Sequence, residues 1–123
     1  MRMKNISVLS IAVITVLMFV FYNGTTCSAD QNEPVIKITA KKFEYSPNSI
    51  KIKKGIPVIF ELTSLDRLHG FNCPKLGVRT NIEPGKVSRV RILAQKVGVY
   101  EFYCDVFCGS GHEEMTGKII VED

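Results

Sequence analysis

Beyond Asp30, hydrophobic positions recur every second residue, in short runs set apart by turn residues. Val35-Ile36-Lys37-Ile38-Thr39 opens the series. In Ser49 to Lys53, Ile50 and Ile52 alternate with Lys51 and Lys53; in Pro57 to Leu62, Val58, Phe60 and Leu62 share one side; in Val87 to Ile92, Val90 and Ile92 oppose Arg89 and Arg91. Gly98 to Cys104 and Gly117 to Val121 complete the set, with Gly55-Ile56-Pro57 and Pro84-Gly85-Lys86 as turn punctuation. No stretch after Asp30 keeps a helical period, and strands at roughly ten-residue spacing predict an all-β, antiparallel sandwich. Alternation along Gly98 to Cys104 puts Tyr100, Phe102 and Cys104 on one face, so Cys104 ends its strand pointing inward. The polar, glycine-rich stretch from Asp105 to Met115 then reads as a loop at one end of the sandwich.

Residues 1–29 follow another pattern. Arg2 and Lys4 are their only charges, an apolar run extends from Ile6 to Tyr22, and Asn23 to Ala29 are small or polar, the order of an export signal. Cys27-Ser28-Ala29 offers a cleavage site before Asp30. The run also reaches the lower limit for a membrane span, so an uncleaved anchor helix is a second reading and a lipid-modified Cys27 a third. All three place residues 30–123 outside the cytoplasm, in the periplasm or on the outer face of the plasma membrane. Those residues amount to one small domain, which excludes a multidomain enzyme.

Charge adds little. Of 123 residues, 16 are Lys or Arg and 12 Asp or Glu. With Arg2 and Lys4 set aside the balance is nearly even, and nucleic acid is not an expected partner. Lys41-Lys42 and Lys51, Lys53 and Lys54 fit a solvated sheet face.

The chemistry is concentrated in Cys104-Asp105-Val106-Phe107-Cys108-Gly109-Ser110-Gly111-His112-Glu113-Glu114-Met115. Two thiols, an imidazole and a thioether fall in one loop, and the only other imidazole is His69. Soft sulfur with imidazole selects copper first and zinc second, and the thioether disfavours zinc. A Cys104–Cys108 disulfide is the bland alternative. Its small ring would constrain little of the unfolded chain and would leave His69, His112 and Met115 unexplained. A mononuclear blue-copper site needs two histidines, one cysteine and an axial methionine, which His69, Cys108, His112 and Met115 supply. Cys104 is then redundant, whereas two thiolates can bridge two coppers, and the extra cysteine favours the dinuclear arrangement. Gly109 and Gly111 allow the tight return between Cys108 and His112. Cys73, in Phe71-Asn72-Cys73-Pro74, stands apart and is expected as a small buried side chain on the opposite phase of its strand.

Cys-x3-Cys-x3-His-x2-Met, with an upstream histidine in Leu68-His69-Gly70-Phe71, resembles the Cu-A domain of cytochrome c oxidase subunit II, the ba3-type in particular, and is similar to that of nitrous oxide reductase. The likeness runs over nearly all of Val35 to Asp123 and includes Phe43-Glu44-Tyr45-Ser46-Pro47, Ile82-Glu83-Pro84-Gly85 and Met115-Thr116-Gly117-Lys118-Ile119-Ile120-Val121. The resemblance implies a Greek-key β-sandwich of the cupredoxin type holding two copper ions. It implies that Cys104 and Cys108 bridge them, that His69 and Met115 complete one copper, and that His112 with the backbone carbonyl of Val106 completes the other. It further implies an electron carrier fed by a cytochrome c-like donor, either as a subunit beside an oxidase catalytic subunit or as a free relay.

Three departures stand out. Val106 replaces a glutamate common in oxidases, no tryptophan is present to receive electrons at the surface, and the connection from Asn23 to Pro34 is short. Phe71, Tyr103 and Phe107 are the aromatic substitutes on offer, and Phe71, Phe102 and Phe107 the candidates for an apolar shell. Asp105, Glu113 and Glu114 are expected to present a weak acidic field to a basic donor. A copper storage or delivery protein is the competing function. A hydrolase is excluded, because no histidine remains as general base once both are ligands. The domain thus carries no catalytic residues of its own.

Overall fold

Wherever the period-two pattern is clear, the computed structural model, which describes residues 32–123, has a strand. The expected signal or anchor segment over residues 1–29 lies outside the described residues. Nine strands form: β1 (Val35–Lys41), β2 (Glu44–Ser46), β3 (Ser49–Lys53), β4 (Val58–Ser64), β5 (His69–Cys73), β6 (Val78–Ile82), β7 (Ser88–Ile92), β8 (Gly98–Tyr103) and β9 (Thr116–Glu122). One sheet has the order β2-β1-β4-β7 and the other β3-β9-β8-β5-β6.

Three of these strands escape the sequence pattern. β2 is only three residues long. β5, His-Gly-Phe-Asn-Cys, carries glycine and asparagine, which are poor strand formers. β6 does alternate, with Val78, Thr80 and Ile82 turned inward of Arg79 and Asn81, but its apolar signal is weak.

The expectation of an antiparallel sandwich needs correction. β1 runs parallel to β4, from Val35↔Ile59 to Ala40↔Ser64, and β3 runs parallel to β9. Parallel neighbours need a long crossover connection. Here the chain supplies it by passing into the opposite sheet: β3 lies between β1 and β4 in sequence but belongs to the other layer.

The inward faces build the core. Ile38, Phe60, Leu62 and Ile92 from one sheet meet Phe71, Ile82, Phe102, Ile119 and Val121 from the other, all essentially without solvent exposure. Phe102 is the hub of an aromatic group, with its ring 4.8 Å from that of Phe71 and 5.0 Å from that of Tyr45. Edge-to-face and tilted contacts at such separations add about 0.5–1.5 kcal/mol per pair beyond area burial. Because Phe102 lies two residues before Cys104 on β8, this packing sets where the first thiol emerges.

Candidate metal centre

Both sulfurs come from the loop joining β8 to β9, and the deeply buried imidazole comes from the start of β5. The Cys104 N–H donates to the Met115 carbonyl at 3.1 Å and closes the loop's neck. Gly109 and Gly111 take φ of 133° and 101°, backbone that side chains rarely adopt, and a 3-10 turn over His112–Glu114 follows. The expected tight return thus forms, with the ring of Phe43 packed against both glycines.

Within the loop the donors converge on Cys108. Its Sγ lies 3.9 Å from Cys104 Sγ, 3.6 Å from His112 Nδ1 and 3.9 Å from Met115 Sδ. Cys104 Sγ is 3.1 Å from the Val106 carbonyl oxygen. His69, Cys104 and Cys108 each bring one donor atom, all within 4.8 Å of one another, and all three residues are buried. The structure therefore brings together every residue singled out from the sequence. The thiols are free, and their separation of 3.9 Å is well beyond the about 2.05 Å of a disulfide bond.

His69 is fully buried. Its Nε2 meets Asp66 Oδ1 at 2.6 Å, while Nδ1 has no hydrogen-bond partner. An unsatisfied buried nitrogen costs about 1–3 kcal/mol, so its persistence beside two thiols marks a donor kept free for something else. Burial acts to raise the Asp66 carboxyl, but hydrogen bonds from His69 and from the backbone N–H groups of Lys42 and Arg67 outweigh it and bring it down to about 2. Burial, and then the neighbouring Cys104, push the Cys108 thiol up. Tyr45 donates its buried hydroxyl to the Gly70 carbonyl at 2.6 Å, and the Gly70 N–H donates to Cys104 Sγ at 3.3 Å. Burial, followed by the charges of Cys104, Asp105 and Cys108, keeps the Tyr45 hydroxyl protonated.

Several expectations change. Phe107 is 80% exposed, so it belongs to the surface and not to an apolar shell, whereas Phe71 and Phe102 are fully buried. Phe107 and Tyr103 are thus the aromatic rings that reach solvent near the loop, and Phe71 cannot serve there. Asp105 does not contribute to an open acidic field, because Arg79 pairs with it. Cys73 is buried as expected, but it shares a face of β5 with His69 and Phe71 instead of taking the opposite phase. Asp66, Tyr45, Arg67 and Arg79 were not legible as site residues. Their roles depend on contacts made by β2, β6 and the β4–β5 loop, and nothing in their local spacing announces them.

Two facing sheets with sulfur and imidazole donors gathered in the loop before the last strand define a cupredoxin-type domain. The cupredoxin-like domain family matches residues 11–121, and the chain belongs to it. Within that family it belongs with the Cu-A domain of cytochrome c oxidase subunit II. It is 35% identical over 92 residues to cytochrome c oxidase subunit 2 of Thermus thermophilus, covering 75% of this chain and 68% of that protein. Against a second, longer subunit 2 from another strain of the same organism, the chain spans 55% of the relative's length. Among solved structures, the periplasmic domain of subunit II of cytochrome oxidase (CoxB) of Bradyrhizobium japonicum shares the fold, with a TM-score of 0.69 and 22% identity over 73% of this chain and 84% of that one. A chain of a heme-copper terminal oxidase dimer matches at a TM-score of 0.67 and 28% identity, over 93% of this chain and 96% of that one.

Proposed function

We propose that this chain binds copper in the β8–β9 loop as a dinuclear Cu-A-type centre and carries electrons to a heme-copper oxidase from a cytochrome-like donor, outside the cytoplasm. One observation carries the reading: two free buried thiols 3.9 Å apart beside a buried imidazole whose Nδ1 has no partner. That donor set suits copper, since thiolate, thioether and imidazole together match its softness. Cys104 and Cys108 would be shared by both ions. His69 with Met115 would complete one, and His112 with the Val106 carbonyl the other. The kinship with oxidase subunit II supports an oxidase catalytic subunit as partner, and the periplasmic placement of the Bradyrhizobium relative supports the location.

When bound, the copper pair supplies a one-electron couple. The protein's share is to hold the donors still and keep water out. Asp66 fixes the His69 ring by accepting from Nε2–H, which leaves Nδ1 facing the thiols. Tyr45 steadies Gly70, whose N–H points at Cys104 Sγ. Phe71 and Phe102 seal the inner side. A scaffold of this rigidity leaves the donors little freedom to rearrange when charge changes.

Copper loading of the purified chain tests the reading. Two coppers per chain and an electron paramagnetic resonance pattern with the unpaired electron shared over two nuclei are expected. A single copper at saturation, or a spectrum confined to one nucleus, overturns it. Asp66→Ala is expected to lower copper affinity about 10–100-fold in a chelator competition, the range for removing a partner that orients a ligand histidine. Unchanged affinity would show that Asp66 does not orient His69.

A further inference from the structure

The ligand loop has few apolar anchors. Between Cys104 and Met115 only Cys108 is buried; Val106, Gly109 and His112 are partly so, and the remainder are exposed. A segment with so little packing opens readily unless polar contacts restrain it. Two arginines outside the donor set supply such contacts. Arg79 on β6 reaches Asp105, the neighbour of Cys104, through Nε to Oδ2 at 2.9 Å and Nη2 to Oδ1 at 3.1 Å. This two-pronged pair exploits the planar guanidinium fork, which lysine lacks. The strand between them leaves room for it: a Cβ on Gly70 would stand 2.0 Å from Asp105 Oδ1. At the second thiol, Arg67 from the β4–β5 loop donates Nη1–H to the Cys108 carbonyl at 3.0 Å.

We infer that Arg79 and Arg67 are positioning residues that clamp the ligand loop beside each thiol in turn and hold Cys104 and Cys108 within reach of each other before metal arrives. The inference rests on this loop being the metal loop proposed above, but its test uses the metal-free chain and does not depend on how many coppers bind. Each clamp acts locally, so loss of one frees the nearer thiol. Arg79 governs Cys104 through Asp105, and Arg67 governs Cys108. The buried thiol of Cys73, at the other end of β5 from His69, reports opening of the sandwich itself.

The test is alkylation of the metal-free full-length chain under native conditions, with each cysteine followed by peptide mass spectrometry. Arg79→Gln is expected to speed alkylation of Cys104 about fivefold relative to Cys73, and Arg67→Gln to do the same for Cys108, as befits partly exposed charged contacts. Losing a positive charge would by itself reduce the thiolate fraction and slow the reaction, so a faster rate isolates opening of the loop. Arg79→Lys should recover only part of the protection. The double variant Arg79→Gln with Asp105→Asn should react no faster than the faster of the two single variants, because the two side chains act as one unit. Unchanged or slower rates at Cys104 and Cys108 overturn the inference. So does a parallel acceleration of Cys73, which would mean general loosening of the fold.

Discussion

Copper-loaded Cys104→Ser protein is expected to lose the resonance shared over two nuclei and to retain a signal from one. Cys104 and Cys108 are not equivalent in the structure. Cys108 lies within 4 Å of Cys104, His112 and Met115 sulfur or nitrogen atoms, whereas Cys104 contacts Cys108, the Val106 carbonyl and the Gly70 N–H. Serine at 104 keeps the shape and can still accept from Gly70, but its hydroxyl is a hard, protonated ligand that does not bridge soft metal ions. What remains is His69, Cys108, His112 and Met115, the donor set of a mononuclear blue-copper site. The expected outcome is one copper per chain and loss of the shared hyperfine pattern. If that pattern survives the substitution, the bridging role of Cys104 is wrong.

Phe102→Ala is expected to cost about 3–5 kcal/mol of folding stability, a large part of the roughly 5–15 kcal/mol available to a domain of this kind. Phe102 is fully buried between Tyr45 and Phe71, and removal of its ring leaves a hole that β-strands on both sides cannot close without shifting. Urea unfolding followed by circular dichroism gives the measurement. The control is Val99→Ala on the same strand: Val99 is 55% exposed, and its truncation should stay within about 0.5 kcal/mol. Equal losses at the two positions would contradict the register of β8. Because Cys104 continues that strand inward of Phe102, the aromatic variant should also retain copper less well than the control.

Alternation made most of the frame legible. Ile50 and Ile52, Val58, Phe60 and Leu62, and Phe102 and Cys104 all face inward as their spacing required, because a strand offers only two faces and one must be dry. The parallel pairings were not legible. Direction depends on which layer the chain visits between two strands, and no local pattern records that choice. β5 was hidden for a related reason: its residues pair well because β6 and β8 flank them, not because they favour extended backbone.

The donors of the candidate site divide in the same way. The sequence by itself determined the identity of the donors, since two cysteines, two histidines and a methionine in this spacing admit few chemistries, and it determined that the loop carrying four of them follows an inward-facing strand. Only the tertiary structure decided that His69 sits fully buried with Nδ1 free, that Asp66 and Tyr45 support it and its neighbour, that Asp105 is taken up by Arg79, and that Phe107 turns outward while Phe71 and Phe102 turn in. Ligand type is a property of side chains and is written locally. Orientation, burial and hydrogen-bond partnership are properties of residues far apart in the chain, and they come into being when the two sheets close on each other.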